Sequence, residues 1–236
     1  MLTLDRDRQI ILSVDRFGQL ATAHIAQLHF ADLTPKPMQR ALTRLVERKY
    51  LARIERRMVG GTGAGSGQYV YQLGSAGWKL VGRVGKYWPF RTVNYHTLAI
   101  ADSYMELLAL EREKRIEILG FTTEPDTWLD IAGADLRPDM FIEVRQVFEK
   151  KSLSLWVEID MGTERQKALK DKLARYWHAY QHADADKLPV FPLVLFLAPD
   201  LKRAREIRWL IDNGPKEGQP LFLVSTVSEY AGLIFS

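Results

Sequence analysis

Apolar positions along the chain change period twice, and those changes divide it. Ile10, Ile11, Val14 and Phe17 recur at three- and four-residue spacing, which predicts a helix over Asp5–Phe17 ended by Gly18. Thr3 or Asp5 is the expected cap, since either offers an oxygen to the free N–H groups of the first turn. The short extended piece Gln19-Leu20-Ala21 leads to a second helix capped by Thr22, with Ile25, Leu28 and Phe30 inward. Asp32-Leu33-Thr34-Pro35-Lys36-Pro37 is a turn that neither helix crosses. A third helix is predicted from about Pro37 to Arg48, with Met38, Ala41, Leu42, Leu45 and Val46 as its apolar stripe. Its other side, with the residue just before it, carries Lys36, Gln39, Arg40, Thr43, Arg44 and Arg48. After Lys49 the period drops to two. Residues 50–57 read as a strand, residues 60–67 as a glycine-rich tip and Gln68–Leu73 as the returning strand. Three helices followed by a glycine-tipped hairpin is the layout of a winged helix-turn-helix domain.

Residues 83–91 break periodicity and form the expected join, with Trp88, Pro89 and Phe90 too apolar for a solvated tether and expected to pack between domains. Beyond it a long helix is predicted over Tyr95–Glu113. Strands follow at Arg115–Phe121, Leu136–Val144 and Leu153–Asp160, then a helix over Thr163–His182. The apolar run Phe191–Ala198 reads as a buried strand, Leu201–Asp212 as a helix and Leu221–Ser225 as a closing strand. That order predicts an α/β domain with a mixed sheet. The expected domains are residues 1–90 and 92–236.

Composition narrows the classes. In 236 residues, 47% are apolar and 26% charged, which argues against disorder. The absence of cysteine excludes disulfides, thiolate-bound zinc, iron–sulfur clusters and a thiol nucleophile. No apolar run approaches the roughly 18 residues of a membrane span. Met1 to Arg8 is too charged for a signal-peptide core, so a cytoplasmic protein without a membrane partner is expected. The net charge of +4 conceals an asymmetry: residues 1–94 hold 15 Lys or Arg against 6 Asp or Glu, and residues 95–236 hold 18 against 23. A basic surface concentrates polyanions. On the third helix, Lys36, Gln39, Arg40, Thr43 and Arg44 suit a DNA major groove, where Arg and Gln match base edges bidentately. Arg56 and Arg57, flanking the glycine tip, suit the sugar-phosphate backbone. Double-stranded DNA is therefore the expected partner, bound by a twofold dimer. Docking of a protein is the other use of the same layout. The glycine run lacks a Gly-Lys-Ser/Thr ending and is not a nucleotide loop.

Candidate chemistry lies in the second half. Asp139 falls early in one predicted strand; Glu158 and Asp160 fall two apart on the next and share a face. Three converging carboxylates repel one another unless a cation or proton intervenes, and hard oxygen ligands suit Mg²⁺ or Mn²⁺. Such an ion would polarise a phosphate and activate water. His178 and His182 have metal-compatible spacing but no HExxH pattern, and neither a Ser/His/Asp elbow nor a dinucleotide fingerprint is present.

Arg137-Pro138-Asp139, then Glu158-Ile159-Asp160 on the following strand, then a helix, resembles the PD-(D/E)XK nuclease fold. Over nearly its full length the chain resembles the replication-relaxation family of bacterial plasmids, integrative elements and phages. The matching pieces are Leu2–Asp7, Gln68–Leu73, His96–Ala99, Leu136–Asp139, Glu158–Glu164 and Lys172–Tyr176, in that order. The resemblance implies a part in plasmid replication, DNA relaxation or mobilisation. The nuclease pattern places lysine two residues after its second acid, where this chain has Asp160. Lys172 is the candidate substitute, because Glu164, Ala168, Lys172 and Tyr176 share one helix face. Glu106 is a further candidate ligand on the long helix.

Three functions follow. The favoured one is a double-stranded DNA-binding protein of a mobile element, acting in replication, relaxation or mobilisation, or transcriptional control. The alternative is a Mg²⁺- or Mn²⁺-dependent endonuclease or nickase, with Asp139, Glu158 and Lys172 catalytic and Asp139, Glu158 and Asp160 as metal ligands. The third is a docking adaptor for replication or mobilisation proteins.

Overall fold

The structure is a computed structural model that describes residues 5–57 and 68–234. Thr3 and the glycine tip lie outside the described residues. The chain divides into two compact units, Met1–Met105 and Glu106–Ser236. The division falls within a single helix, α5 (Tyr95–Arg112).

The first unit contains α1 (Asp5–Phe17), β1 (Leu20–Ala21), α2 (Thr22–His29), α3 (Pro35–Glu47), β2 (Leu51–Arg57), β3 (Gln68–Leu73) and α4 (Ser75–Leu80). Its strands form an antiparallel sheet in the order β1-β3-β2. The predicted stripes meet as a core: Ile10, Ile11, Val14, Ile25, Leu42, Leu45, Leu51 and Val70 are all buried. Helix α1 has the predicted bounds, and Gly18 follows it at a φ of 76°, a conformation open to glycine at little cost. Helix α3 starts two residues earlier than predicted, with Pro35 in the first turn, where a missing N–H costs no hydrogen bond. The predicted cap of α2 is corrected. Ala21 holds the cap position and donates its N–H to Nδ1 of the buried His24 (3.2 Å), while Thr22 donates its hydroxyl to Tyr69 O (3.1 Å). Helix α4 rests directly on the turn before β2, because a Cβ on Gly77 would lie 2.1 Å from Tyr50 O.

The second unit carries β4 (Ile116–Thr123), a small hairpin of β5 (Leu129–Ile131) and β6 (Ala134–Leu136), β7 (Met140–Gln146) and β8 (Ser152–Ile159). There follow α6 (Gln166–His182), β9 (Leu193–Ala198), α7 (Leu201–Asp212), a 3₁₀ turn (Lys216–Leu221), β10 (Phe222–Thr226) and α8 (Tyr230–Leu233). Five strands form the predicted mixed sheet in the order β10-β9-β8-β7-β4. Strands β4, β7 and β8 pair antiparallel, and β8, β9 and β10 pair parallel. The mixture follows from the connections, since α6 and α7 provide the long crossovers that parallel neighbours need. Both helices pack on the sheet through a core that includes Trp156, Leu169, Tyr176, Phe196, Ile207 and Leu210. The predicted strand 136–144 is split: Leu136 ends β6, Met140 begins β7, and Arg137-Pro138-Asp139 turns between them. Asp139 therefore sits at the entrance of the sheet, one step beyond the Met140–Val157 pair and hence opposite Glu158.

No helix of the described residues is long and apolar enough to cross a membrane.

Candidate functional site

Helix α3 separates its two faces cleanly. Met38, Ala41, Leu42 and Leu45 are buried, and Lys36, Gln39, Arg40 and Thr43 are exposed. Arg48 is exposed just beyond the helix. Arg44 departs from the expected outward stripe. Its Nε and Nη2 donate to both oxygens of Asp7 at 2.7–3.0 Å, and Asp7 is only 1% exposed in the first turn of α1. A carboxylate so deeply buried needs a partner, and Arg44 borders the apolar stripe closely enough to reach it. Arg44 is thus corrected from an outward base reader to a clamp between α1 and α3. Arg56 and Arg57 end β2, and their side chains lie outside the described residues. The sequence reading missed a cleft of about 330 Å³ beside α3, lined by Gln39 and Thr43 and by Arg53 and Tyr69 of the hairpin. The Arg53 guanidinium lies 4.7 Å from the centroid of the Tyr69 ring. The alternation of Arg53, Tyr69 and Tyr71 was the available signal.

The second unit gathers its acids on the end of the sheet at β7 and β8. Asp139, Glu158 and Asp160 are all buried, at 8%, 3% and 5% exposure. Asp139 accepts from the Ile159 N–H at 2.6 Å, which fixes its carboxylate against β8. Glu158 accepts from Lys172 Nζ through one oxygen (2.8 Å) and from the Tyr176 hydroxyl through the other (2.5 Å). Lys172 also donates to Glu164 at 3.0 Å. The predicted stripe of α6 therefore converges on Glu158: Lys172 as expected, and Tyr176 in a role the sequence reading did not give it.

Burial pushes the Glu158 carboxyl up to about 7; the Lys172 ammonium opposes this and the Asp139 charge adds to it. Burial by itself would lower Lys172, but Glu158 and Glu164 outweigh it and the ammonium is held firmly. The Tyr176 phenol is raised by burial and by Glu158. Asp139, Glu158, Lys172, Arg175 and Tyr176 line one cleft of about 380 Å³ together with residues 135–137. Arg137 and Arg175 are exposed on it.

Asp160 does not join this group, which corrects its expected place as a third ligand. Arg203 of α7 donates to it from Nε at 2.5 Å, and the Gly162 N–H donates to it at 2.7 Å. Arg203 also donates to Glu164 O at 2.6 Å, tying the loop before α6 to α7. Asp160 lies just past the end of β8 at Ile159, and α6 claims Glu158 whereas α7 claims Asp160. Glu106 is exposed on α5, near the Tyr230 phenol, which burial raises. His178 and His182 stack on each other, 4.3 Å between centroids, on the exposed side of α6.

The donor set suits a hard divalent cation. Mg²⁺ is commonly held by one or two carboxylates, its other positions going to water and phosphate oxygens. Asp139 and Glu158 provide two carboxylates in one cleft. Glu164 Oε2, on the carboxylate that holds Lys172, is buried with no hydrogen-bond partner among the described residues, which leaves an acceptor unspent.

These features define an α+β protein with an outward polar helix face in one unit and a buried acid–lysine–tyrosine cluster on a mixed sheet in the other. The replication-relaxation family model matches residues 12–194, and the chain belongs to that family. No curated protein and no solved structure matches the chain.

Proposed function

We propose that this protein binds double-stranded DNA through α3 and acts in the replication or mobilisation of a mobile element. In this reading α1–α3 with the β2–β3 hairpin work as a winged helix, and α3 enters the major groove. The observation that carries it is the outward row of Lys36, Gln39, Arg40 and Thr43 on a helix whose opposite face is the core of its unit. Arginine and glutamine read base edges in pairs of hydrogen bonds, and lysine neutralises phosphate. Arg53 on its Tyr69 platform adds a cation on the hairpin side of the same cleft. Family membership supplies the setting in replication. The test is retention of a duplex library by the full chain at several salt concentrations. Affinity should fall steeply with salt. Arg40→Ala should bind more weakly, and Lys36→Ala should flatten the salt dependence. Unchanged binding in both variants would remove α3 as the reader.

A second reading, metal-dependent cleavage of DNA, is favoured by the cluster around Glu158. Here the cleft accepts a DNA phosphate, PD-(D/E)XK fashion. Asp139 and Glu158 would hold Mg²⁺ or Mn²⁺, which supplies charge to polarise the phosphate and lower the pKa of water. Lys172 orients the phosphate oxygens and balances their charge, Arg175 draws the strand to the cleft mouth, and Tyr176 fixes the Glu158 carboxylate. Supercoiled plasmid with either ion separates the readings. Nicking that disappears in Asp139→Ala and in Glu158→Ala supports cleavage; DNA retention without nicking leaves the first reading alone.

A further inference from the structure

The segment between α4 and α5 does not behave as a tether. Gln72, 5% exposed on β3, clamps it from both sides: its Nε2 donates to Phe90 O at 2.8 Å, and its Oε1 accepts from Phe90 N at 2.9 Å. Gln19, 1% exposed, does the same two residues further on, accepting from Asn94 N at 2.8 Å and donating to Thr92 O at 3.3 Å. The Tyr87 hydroxyl donates to Leu73 O at 3.0 Å. Two buried glutamines and a tyrosine thus fix a backbone that has no helix or strand of its own.

What this strap presents is apolar. Trp88 is 69% exposed and Phe90 62%, where burial is expected from the sequence. Holding aromatic rings in water on a pinned backbone gives the fold nothing and creates a contact surface. The strap itself carries only positive charge. No Asp or Glu occurs between Glu55 and Asp102, a stretch that holds Lys79, Arg83, Lys86 and Arg91, of which Arg83 is paired with Asp15 of α1 at 2.6 Å. Lys86 and Arg91 are exposed on either side of the rings, and Lys86 Nζ lies 5.2 Å from the Trp88 centroid.

We propose that residues 86–91 form a stacking platform for single-stranded DNA, separate from the duplex-reading face of α3. Unpaired bases would lie on Trp88 and Phe90, and their phosphates against Lys86 and Arg91. Exposed aromatic faces between cations are the usual means of holding single strands without reading sequence. Pinning the backbone beforehand removes the ordering cost from binding. Two exposed cations beside the rings, on a strap that itself carries no acid, favour this polyanion over an acidic-rimmed protein groove, and melted strands arise wherever DNA is replicated or relaxed.

The experiment is fluorescence anisotropy of a labelled fifteen-nucleotide oligothymidine with the full chain, beside a duplex of mixed sequence. Trp88→Ala and Phe90→Ala should each weaken oligothymidine binding by roughly fivefold to a hundredfold. Trp88→Phe should recover most of the loss. Both alanine variants should keep the wild-type circular dichroism, because neither side chain is part of the core. Arg40→Ala should weaken duplex binding and leave oligothymidine binding intact, so failure of the α3 reading and failure of the platform are distinguishable. Wild-type protein that does not bind oligothymidine overturns the proposal. So does equal binding by wild type, Trp88→Ala and Phe90→Ala, which would assign the face to a protein partner.

Discussion

The α3 face and the Glu158 cluster use the same kinds of side chain to opposite ends. On α3, Lys36 and Arg40 stand exposed to solvent. Around Glu158, Lys172 is hydrogen-bonded to both Glu158 and Glu164 and the Tyr176 hydroxyl holds the other Glu158 oxygen, so removing Lys172 leaves a buried carboxyl without its cation. Arg44 belongs to the second pattern although it lies on the first helix, because Asp7 beneath it is buried. Residue type thus says little about role. Burial of the partner decides whether a charge serves the fold or remains open to a ligand.

The largest effect expected from breaking this contrast is at Arg203. Its loss in Arg203→Ala leaves Asp160 buried and unpaired, and urea unfolding should show a destabilisation of about 3–5 kcal/mol. Adding Asp160→Asn to that variant should recover much of the loss; no recovery would mean that Arg203 matters for packing rather than charge. Arg44→Ala should cost less, about 2 kcal/mol, since Arg44 is 29% exposed and water screens the pair. Its neighbour supplies the sharpest comparison. Arg40→Ala should change stability by no more than about 0.5 kcal/mol but cost about 1–3 kcal/mol of duplex affinity. Should Arg40→Ala unfold as readily as Arg44→Ala, the distinction between fold-serving and open charge on α3 fails. Tyr176→Phe keeps the ring in the core and removes one hydrogen bond to Glu158, so a loss of about 1 kcal/mol is expected in the same urea experiment.

A further expected effect is a pH dependence. Burial, with the Arg6 charge adding to it, lowers His29 from 6.5 to about 4. The folded state therefore disfavours the protonated ring. Stability associated with His29 is fully present above pH 6.5 and is lost as pH falls from 6.5 towards 4. His29→Gln should show a flatter thermal midpoint across that window, by a few degrees, while above pH 7 its midpoint should track the wild type.

Much of the architecture was legible because it is written locally. The three- and four-residue spacing of Ile10, Ile11, Val14 and Phe17 fixed α1 to its ends, and the apolar run before Pro199 announced β9. The spacing of Lys172 and Tyr176 likewise marked one face of α6, and both reach Glu158, whereas Glu164 lies in the loop before the helix, which starts at Gln166 rather than at Thr163. The split at Pro138 was less legible, since each three-residue strand of the β5–β6 hairpin is too short to establish a period. Trp88 and Phe90 misled in the other direction: their composition asks for burial, and buried glutamines far away in sequence hold their backbone at the surface.

The sequence by itself determined the helices and most strands, the mixed sheet, and the basic and acidic halves, because backbone periodicity and composition are properties of neighbouring residues. Only the tertiary structure decided which charges are spent. Asp160 meets Arg203 across 43 residues and Asp7 meets Arg44 across 37. No local pattern encodes those meetings. They arise because carboxylates enclosed by packed helices and strands take whichever cation the fold brings within reach.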